Sequence, residues 1–182
     1  MCKSVRARLT SARYRHSLGV ARTAEKLARR YDVPRVKARI AGVLHDLARP
    51  WTPDELLAYA HEHGLAPSKT EQMAPLLLHA RVGVDLARRE FGVTDADTLA
   101  AIATHTVAIP GMSDFQKIVF MADTFEPNRR FEARAALEAA ALRSLDEGML
   151  ACVKASIDYL LRREVPIAPE TVEVYNQLVK GQ

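Results

Sequence analysis

Residues 8–30, RLTSARYRHSLGVARTAEKLARR, decide the fold. Leu9, His16, Val20, Thr23 and Leu27 recur at helical spacing along one face, and Asp32-Val33-Pro34 breaks the pattern. A strand would alternate with period two, and no stretch between turn signals does so. The helical period resumes over 35–48. After Arg49-Pro50-Trp51, Thr52-Pro53-Asp54-Glu55 supplies an N-cap, a Pro at the first helical position and a capping-box Glu for a short helix that Gly64 closes. Residues 67–72 read as a polar connection, and 75–91 as a helix ended by Gly92. Thr94 is expected to cap a helix reaching about His105. Ser113 with Gln116 forms a second capping box, for a helix through Asp123. Helices over 132–146 and 148–163 and a last one from Glu170 to Val179 complete an all-α expectation: one helical bundle over 1–182, its core at about 13–130, with additional C-terminal helices at about 132–180.

Composition narrows the function classes. The 182 residues are 48% hydrophobic with only 8 Gly and 9 Pro, which excludes collagen-like, low-complexity and wholly disordered chains. The longest apolar stretches, 74–78 and 118–122, fall far short of the roughly 20 residues of a spanning helix. No membrane association is expected. The basic first fifteen residues lack the apolar run of a secretory signal. Cys2 and Cys152 are too few for a disulfide framework, so a reducing compartment, the cytoplasm, is the expectation. With 26 Lys plus Arg against 22 Asp plus Glu, the chain is mildly basic. It has no Arg- and aromatic-rich recognition helix, and no nucleic-acid partner is expected.

Four histidines and two aspartates fall on apolar helical faces: His16, His45, Asp46, His79, His105 and Asp123. A buried imidazole or carboxylate without a partner costs several kcal/mol, so these groups need one another, backbone partners or a cation. A shared divalent metal would serve all of them. Imidazole nitrogen and carboxylate oxygen suit Fe, Mn, Co, Zn or Ni, and the lack of nearby thiolates disfavours an iron-sulfur cluster. Taken singly, each has an ordinary explanation as a core histidine or a helix cap. Periodicity alone cannot bring together residues separated by 29, 33, 26 and 18 positions. His61 and His63 stand about 200° apart on a helix, cannot chelate together, and read as surface residues. Met73, Met112 and Met121 read as core filler. Arg29-Arg30 and Arg162-Arg163 read as solvated helix ends.

At Arg13 to Val20, Ala41-Gly42-Val43-Leu44-His45-Asp46-Leu47-Ala48, Pro75 to Ala80, Ala101 to Thr106, and Gly111-Met112-Ser113 through Ala122-Asp123 to Arg129, the sequence resembles the HD-domain phosphohydrolase superfamily. Within it the chain is similar to the YqeK family of bacterial symmetrical diadenosine tetraphosphate hydrolases, with a weaker echo at 171–176. The resemblance implies a single HD domain whose six residues, His16, His45, Asp46, His79, His105 and Asp123, ligate a dinuclear centre. Asp46 would bridge the metals, and His45 and Asp46 would be the catalytic pair. Iron is the favoured metal, with Mn, Co or Ni as alternatives. Two departures stand out. Arg49 replaces the usual Lys after the His-Asp segment, and Thr106-Val107-Ala108 stands where relatives commonly have Thr-Thr-Gly.

The implied reaction is hydrolysis of a small-molecule dinucleoside polyphosphate by a metal-activated hydroxide attacking an inner phosphorus, which releases two ADP from diadenosine tetraphosphate. The substrate's charge calls for cations. Arg13, Lys117 and Arg129 are the candidates, ahead of Arg49 and Arg130, and Glu126 is placed with them among the substrate contacts. One rival is an HD enzyme acting on a deoxynucleoside triphosphate, a nucleoside monophosphate or a cyclic dinucleotide. The other is a catalytically silent helical nucleotide-binding module. A homodimer is compatible with the leading reading and with both rivals.

Overall fold

Thr10 divides what the sequence reads as one helix. Its side chain accepts from the Arg13 backbone N–H and caps α2 (Ser11–Arg30), leaving a separate short α1 (Cys2–Arg8) anchored by buried Val5. The computed structural model describes residues 1–181. Among them there are eleven α-helices and a 3-10 turn but no strand.

The second helix also ends earlier than its period suggests. α3 (Arg35–Leu44) stops at His45, and the chain continues to Trp51 in tight turns, with Leu47, Arg49 and Trp51 donating to carbonyls three residues back. Neighbours on a regular helix diverge by about 100°. This change of pitch lets His45 and Asp46 point their side chains at one another, 3.2 Å apart.

α4 (Pro53–Glu62) begins at the expected Thr52–Glu55 capping box and ends at Gly64, whose positive φ of 67° suits glycine. The expected connection at 67–72 contains α5 (Lys69–Met73), started by a third capping box, Ser68 with Glu71. Met73 ends that short helix 55% exposed, so it is not core filler, whereas Met112 and Met121 are buried. A 3-10 turn over Pro75–Leu77 leads into α6 (Leu78–Phe91). α7 (Ala96–Ala103) is capped by Asp95 rather than Thr94, because the Asp95 carboxylate accepts from both the N–H and the hydroxyl of Thr98. α8 (Asp114–Phe125) starts at the Ser113–Gln116 box. Ser144 caps α10 (Leu145–Arg162) and so sets the boundary with α9 (Arg134–Arg143); α11 (Pro169–Lys180) follows.

α2 and α3 pack on α8, α7 lies against α3, α6 and α8, and the C-terminal helices join through α10 on α8 and α9. The α2–α3 contact is close. A Cβ on Gly42 would lie 2.6 Å from Ala21 Cα. Leu27, Leu44, Leu47, Ile102, Ile118, Met121 and Phe125 are all below 2% exposed, and each contributes about 1.5–3 kcal/mol by leaving water. No described helix is long and apolar enough to cross a membrane.

Candidate metal centre

Five segments converge at one end of the bundle. His16 comes from α2, the His45-Asp46 pair from the turn after α3, and His79 from the first turn of α6. His105 lies just past α7, and Asp123 in the last turn of α8. The six side chains meet through Asp46. Its Oδ2 lies 3.2 Å from His45 Nε2 and 3.6 Å from His16 Nε2, while its Oδ1 lies 3.4 Å from His79 Nε2 and 3.6 Å from His105 Nε2. Asp123 Oδ1 stands on the His16–His45 side, 2.9 and 3.7 Å from their Nε2 atoms. One carboxylate therefore faces two pairs of imidazoles.

Every imidazole has its outer nitrogen engaged. Nδ1 of His45, His79 and His105 donates to the carbonyl three residues back, on Gly42, Leu76 and Ile102, at 2.9, 2.6 and 2.7 Å. A carbonyl can only accept, so Nδ1 carries a proton and, in the neutral ring, Nε2 presents a lone pair inward. Nε2 of His79 and His105 are 3.1 Å apart, two lone pairs face to face. Nε2 of His16 and of His45 are buried without a hydrogen bond. Four inward lone pairs around two carboxylates form a donor set suited to divalent Fe, Mn, Co, Ni or Zn. The groups His16–His45–Asp123 and His45–Asp46–His105 each bring their ligand atoms within 4.8 Å of one another.

The electrostatics follow from burial against charge. Asp46 is buried, which raises its pKa, but His45 and the hydrogen bonds of its neighbours hold it well below the ordinary carboxylate range. The same competition lowers Asp123, through His16 and Arg129. Burial, helped by the neighbouring His45 and His79, lowers His105 against the raising effect of Asp46. His45 is also buried, yet Asp46 and Asp123 lift it to about 8, so a cation taking its Nε2 near neutral pH displaces a proton.

Two arginines close over the carboxylates. Arg13 Nη1 donates to Asp46 Oδ2 and Arg129 Nη2 to Asp123 Oδ1, each at 2.8 Å, and Arg129 Nε also donates to the Asp123 carbonyl. Both remain about one third or more exposed, at 33% and 40%. Arg49 is half-buried on the Asp46 turn, and Arg130 is exposed.

Two expected substrate contacts lie elsewhere. Lys117 points away from the six residues, pairing with Asp146 of α10 at 2.8 Å. It lines a separate cleft of about 490 Å³ between the Ile109–Met112 turn, α10 and α11. Glu126 is 1% exposed behind His16 and cannot meet a substrate. Its Oε1 accepts a hydrogen bond from His16 Nδ1 at 3.1 Å. Sequence reasoning misses this partnership. The available signal is that His16 sits inside a helix, where backbone carbonyls are already engaged, while the other three histidines stand at segment ends. Ala108, in the departure from Thr-Thr-Gly, is fully buried with its carbonyl 3.5 Å from the Thr171 hydroxyl, and it needs no positive φ. His61 is exposed and His63 stacks on Tyr59 at 3.8 Å.

The HD domain family profile matches residues 13–128. The chain is 36% identical over 177 residues to the symmetrical bis(5'-nucleosyl)-tetraphosphatase of Bacillus subtilis, covering 97% of this chain and 95% of that protein. It is also 36% identical to the protein of the same name from Halalkalibacterium halodurans, over 98% of this chain and 95% of the relative. Among solved structures, a Clostridium acetobutylicum protein described as a predicted HD superfamily hydrolase involved in NAD metabolism superposes with a TM-score of 0.93. The two are 32% identical, and the match covers 100% of this chain and 96% of that one.

Proposed function

The chain belongs to the HD-domain family, and on that premise we propose that it is a metal-dependent symmetrical bis(5'-nucleosyl)-tetraphosphatase, cutting diadenosine tetraphosphate at its central anhydride to give two ADP. The full-length likeness to relatives of that name supports this substrate. The observation that carries a two-cation centre is the division of Asp46, one oxygen toward His16 and His45 and the other toward His79 and His105.

In this proposal His16, His45, Asp123 and Asp46 would hold one divalent cation, and His79, His105 and Asp46 the second. Iron is the favoured metal, with Mn, Co or Ni as alternatives. Bound cations of this kind acidify water and neutralise charge on phosphoryl oxygens. The protein's part is to orient and to balance charge. The Nδ1 bonds fix each imidazole so that its Nε2 lone pair faces the centre, and the low pKa of both aspartates keeps them ionised at neutral pH. Arg13 and Arg129, paired with the two carboxylates and partly exposed, are placed to meet phosphoryl oxygens, which a guanidinium can hold in bidentate fashion. Arg49, half-buried on the Asp46 turn, and exposed Arg130 are the weaker candidates for further phosphate contacts. The chain works as one domain, its centre braced from behind by α10 on α8.

Product analysis tests the proposal. Anaerobically purified, metal-analysed protein incubated with diadenosine tetraphosphate is expected to give ADP as its sole product. ATP with AMP would place the cut off-centre and overturn it, as would turnover of another nucleotide with this one untouched.

A further inference from the structure

Three of the four imidazoles are oriented by carbonyls three residues away in their own segment, and His16 alone by a carboxylate from a distant one. We propose that Glu126 is a positioning residue that tightens cation binding on the His16 side of the centre and not on the His79–His105 side, making the two positions unequal in affinity. This rests on the proposal above that the six residues hold two cations.

The Glu126 carboxyl is built in. It is 1% exposed, and a buried carboxylate is tolerated only when its lone pairs are satisfied. Oε1 faces His16 Nδ1 at 3.1 Å, and Oε2 accepts from the backbone N–H and the side-chain amide of Asn128, both at 2.8 Å. Asn128 is tied in turn to the Arg15 carbonyl, next to His16. Room for this arrangement comes from Gly19, one turn beyond His16. A Cβ there would lie 1.9 Å from Glu126 Oε2 and 2.8 Å from Asn128 Nδ2.

The chemical consequence is local. A carboxylate acceptor fixes the His16 proton on Nδ1, as a carbonyl would, but it also places a negative charge against the ring and makes Nε2 a stronger donor. The His16 side therefore combines this imidazole with Asp123 and Asp46, while the opposite side has two carbonyl-backed imidazoles and only its share of Asp46.

The test is stepwise cobalt(II) titration of metal-stripped, full-length protein against a competing chromophoric chelator, with thermal melting of each metal-free protein alongside. Glu126→Gln keeps the shape and removes the charge. Gly19→Ala keeps the charge and displaces the carboxylate. Wild type is expected to bind two equivalents of unequal affinity. Each variant is expected to lose about 10–100-fold at the tighter equivalent and less than about threefold at the weaker, the range seen when a ligand's hydrogen-bond partner is removed. Should one variant melt far below wild type, the other decides. Equal weakening of both equivalents, or of neither, while wild type binds two would overturn the role of Glu126 alone. A wild type that binds no cobalt would instead overturn the two-cation centre.

Discussion

Arg129 and Lys117 separate a cation at the centre from one that only looks placed for it. Arg129 donates twice to Asp123, by Nη2 and Nε, whereas Lys117 is committed to Asp146 across the α8–α10 contact. A hydrogen bond to a charged group is worth about 1.5–3 kcal/mol, which is roughly a 10–100-fold change in binding. Arg129→Gln should therefore raise KM for diadenosine tetraphosphate by about that factor while metal content is unchanged. Lys117→Met should leave kcat and KM within about twofold of wild type, as surface substitutions generally do. Steady-state kinetics with metal analysis of both variants would check this; equal effects would argue against the assignment. The six histidines and aspartates are legible in the sequence as polar groups on apolar faces, and it is their joint occurrence, not any one of them, that sets them apart. The hydrogen bond of Glu126 to His16 is not, because it joins residues 110 positions apart and no local pattern encodes it.

At the scale of elements, close helix contacts and caps hold the segments that carry the proposed ligands. Gly42 lies one turn before His45, where α3 touches α2, and a Cβ there would meet Ala21 backbone atoms at 2.6 and 2.7 Å. Backbone cannot give way as a side chain can. Gly42→Ala should destabilise by about 1–3 kcal/mol despite its better helix propensity, lowering Tm by about 2–4 °C per kcal/mol. Gly83→Ala, whose nearest contact would be 3.4 Å, should be neutral or stabilising in the same melt.

α7, which leads into His105, depends on Asp95. Hydrogen bonds from Lys37 and Thr98 hold its pKa down at about 2, and the same contact raises Lys37. A carboxyl depressed on folding contributes its stability above its ordinary pKa near 4 and loses it as pH falls through about 2. Asp95→Asn, which can still cap, should therefore be less stable than wild type at neutral pH. Denaturant titrations should show the difference narrowing from about pH 4 toward pH 2, and a pH-independent difference would contradict the ion pair. The capping boxes at Thr52 and Ser113 are legible because they are local and lead into apolar faces. The box at Ser68 escapes notice because the five-residue α5 has no such face, and the break at Thr10 does because the apolar period runs on across it.

Across the whole molecule, the proposed centre ties together segments far apart in sequence, from α2 to α8. Their convergence is the part of the fold that period and spacing leave open, since each helix registers its own apolar face and not its neighbour. Anything that binds the folded centre and not the unfolded chain raises stability with its concentration, by about 2.7 kcal/mol at a hundred times Kd. Chelation should therefore lower Tm and divalent metal restore it; a Tm indifferent to metal would argue against five segments sharing a cation site.

Hydrolysis by the Asp46-centred cluster is proposed to depend on bound cations. Its most direct test is the rate of ADP release from diadenosine tetraphosphate measured against metal equivalents bound per chain. No release is expected from stripped protein, and full activity as the second equivalent binds. Undiminished release from protein free of metal would contradict it.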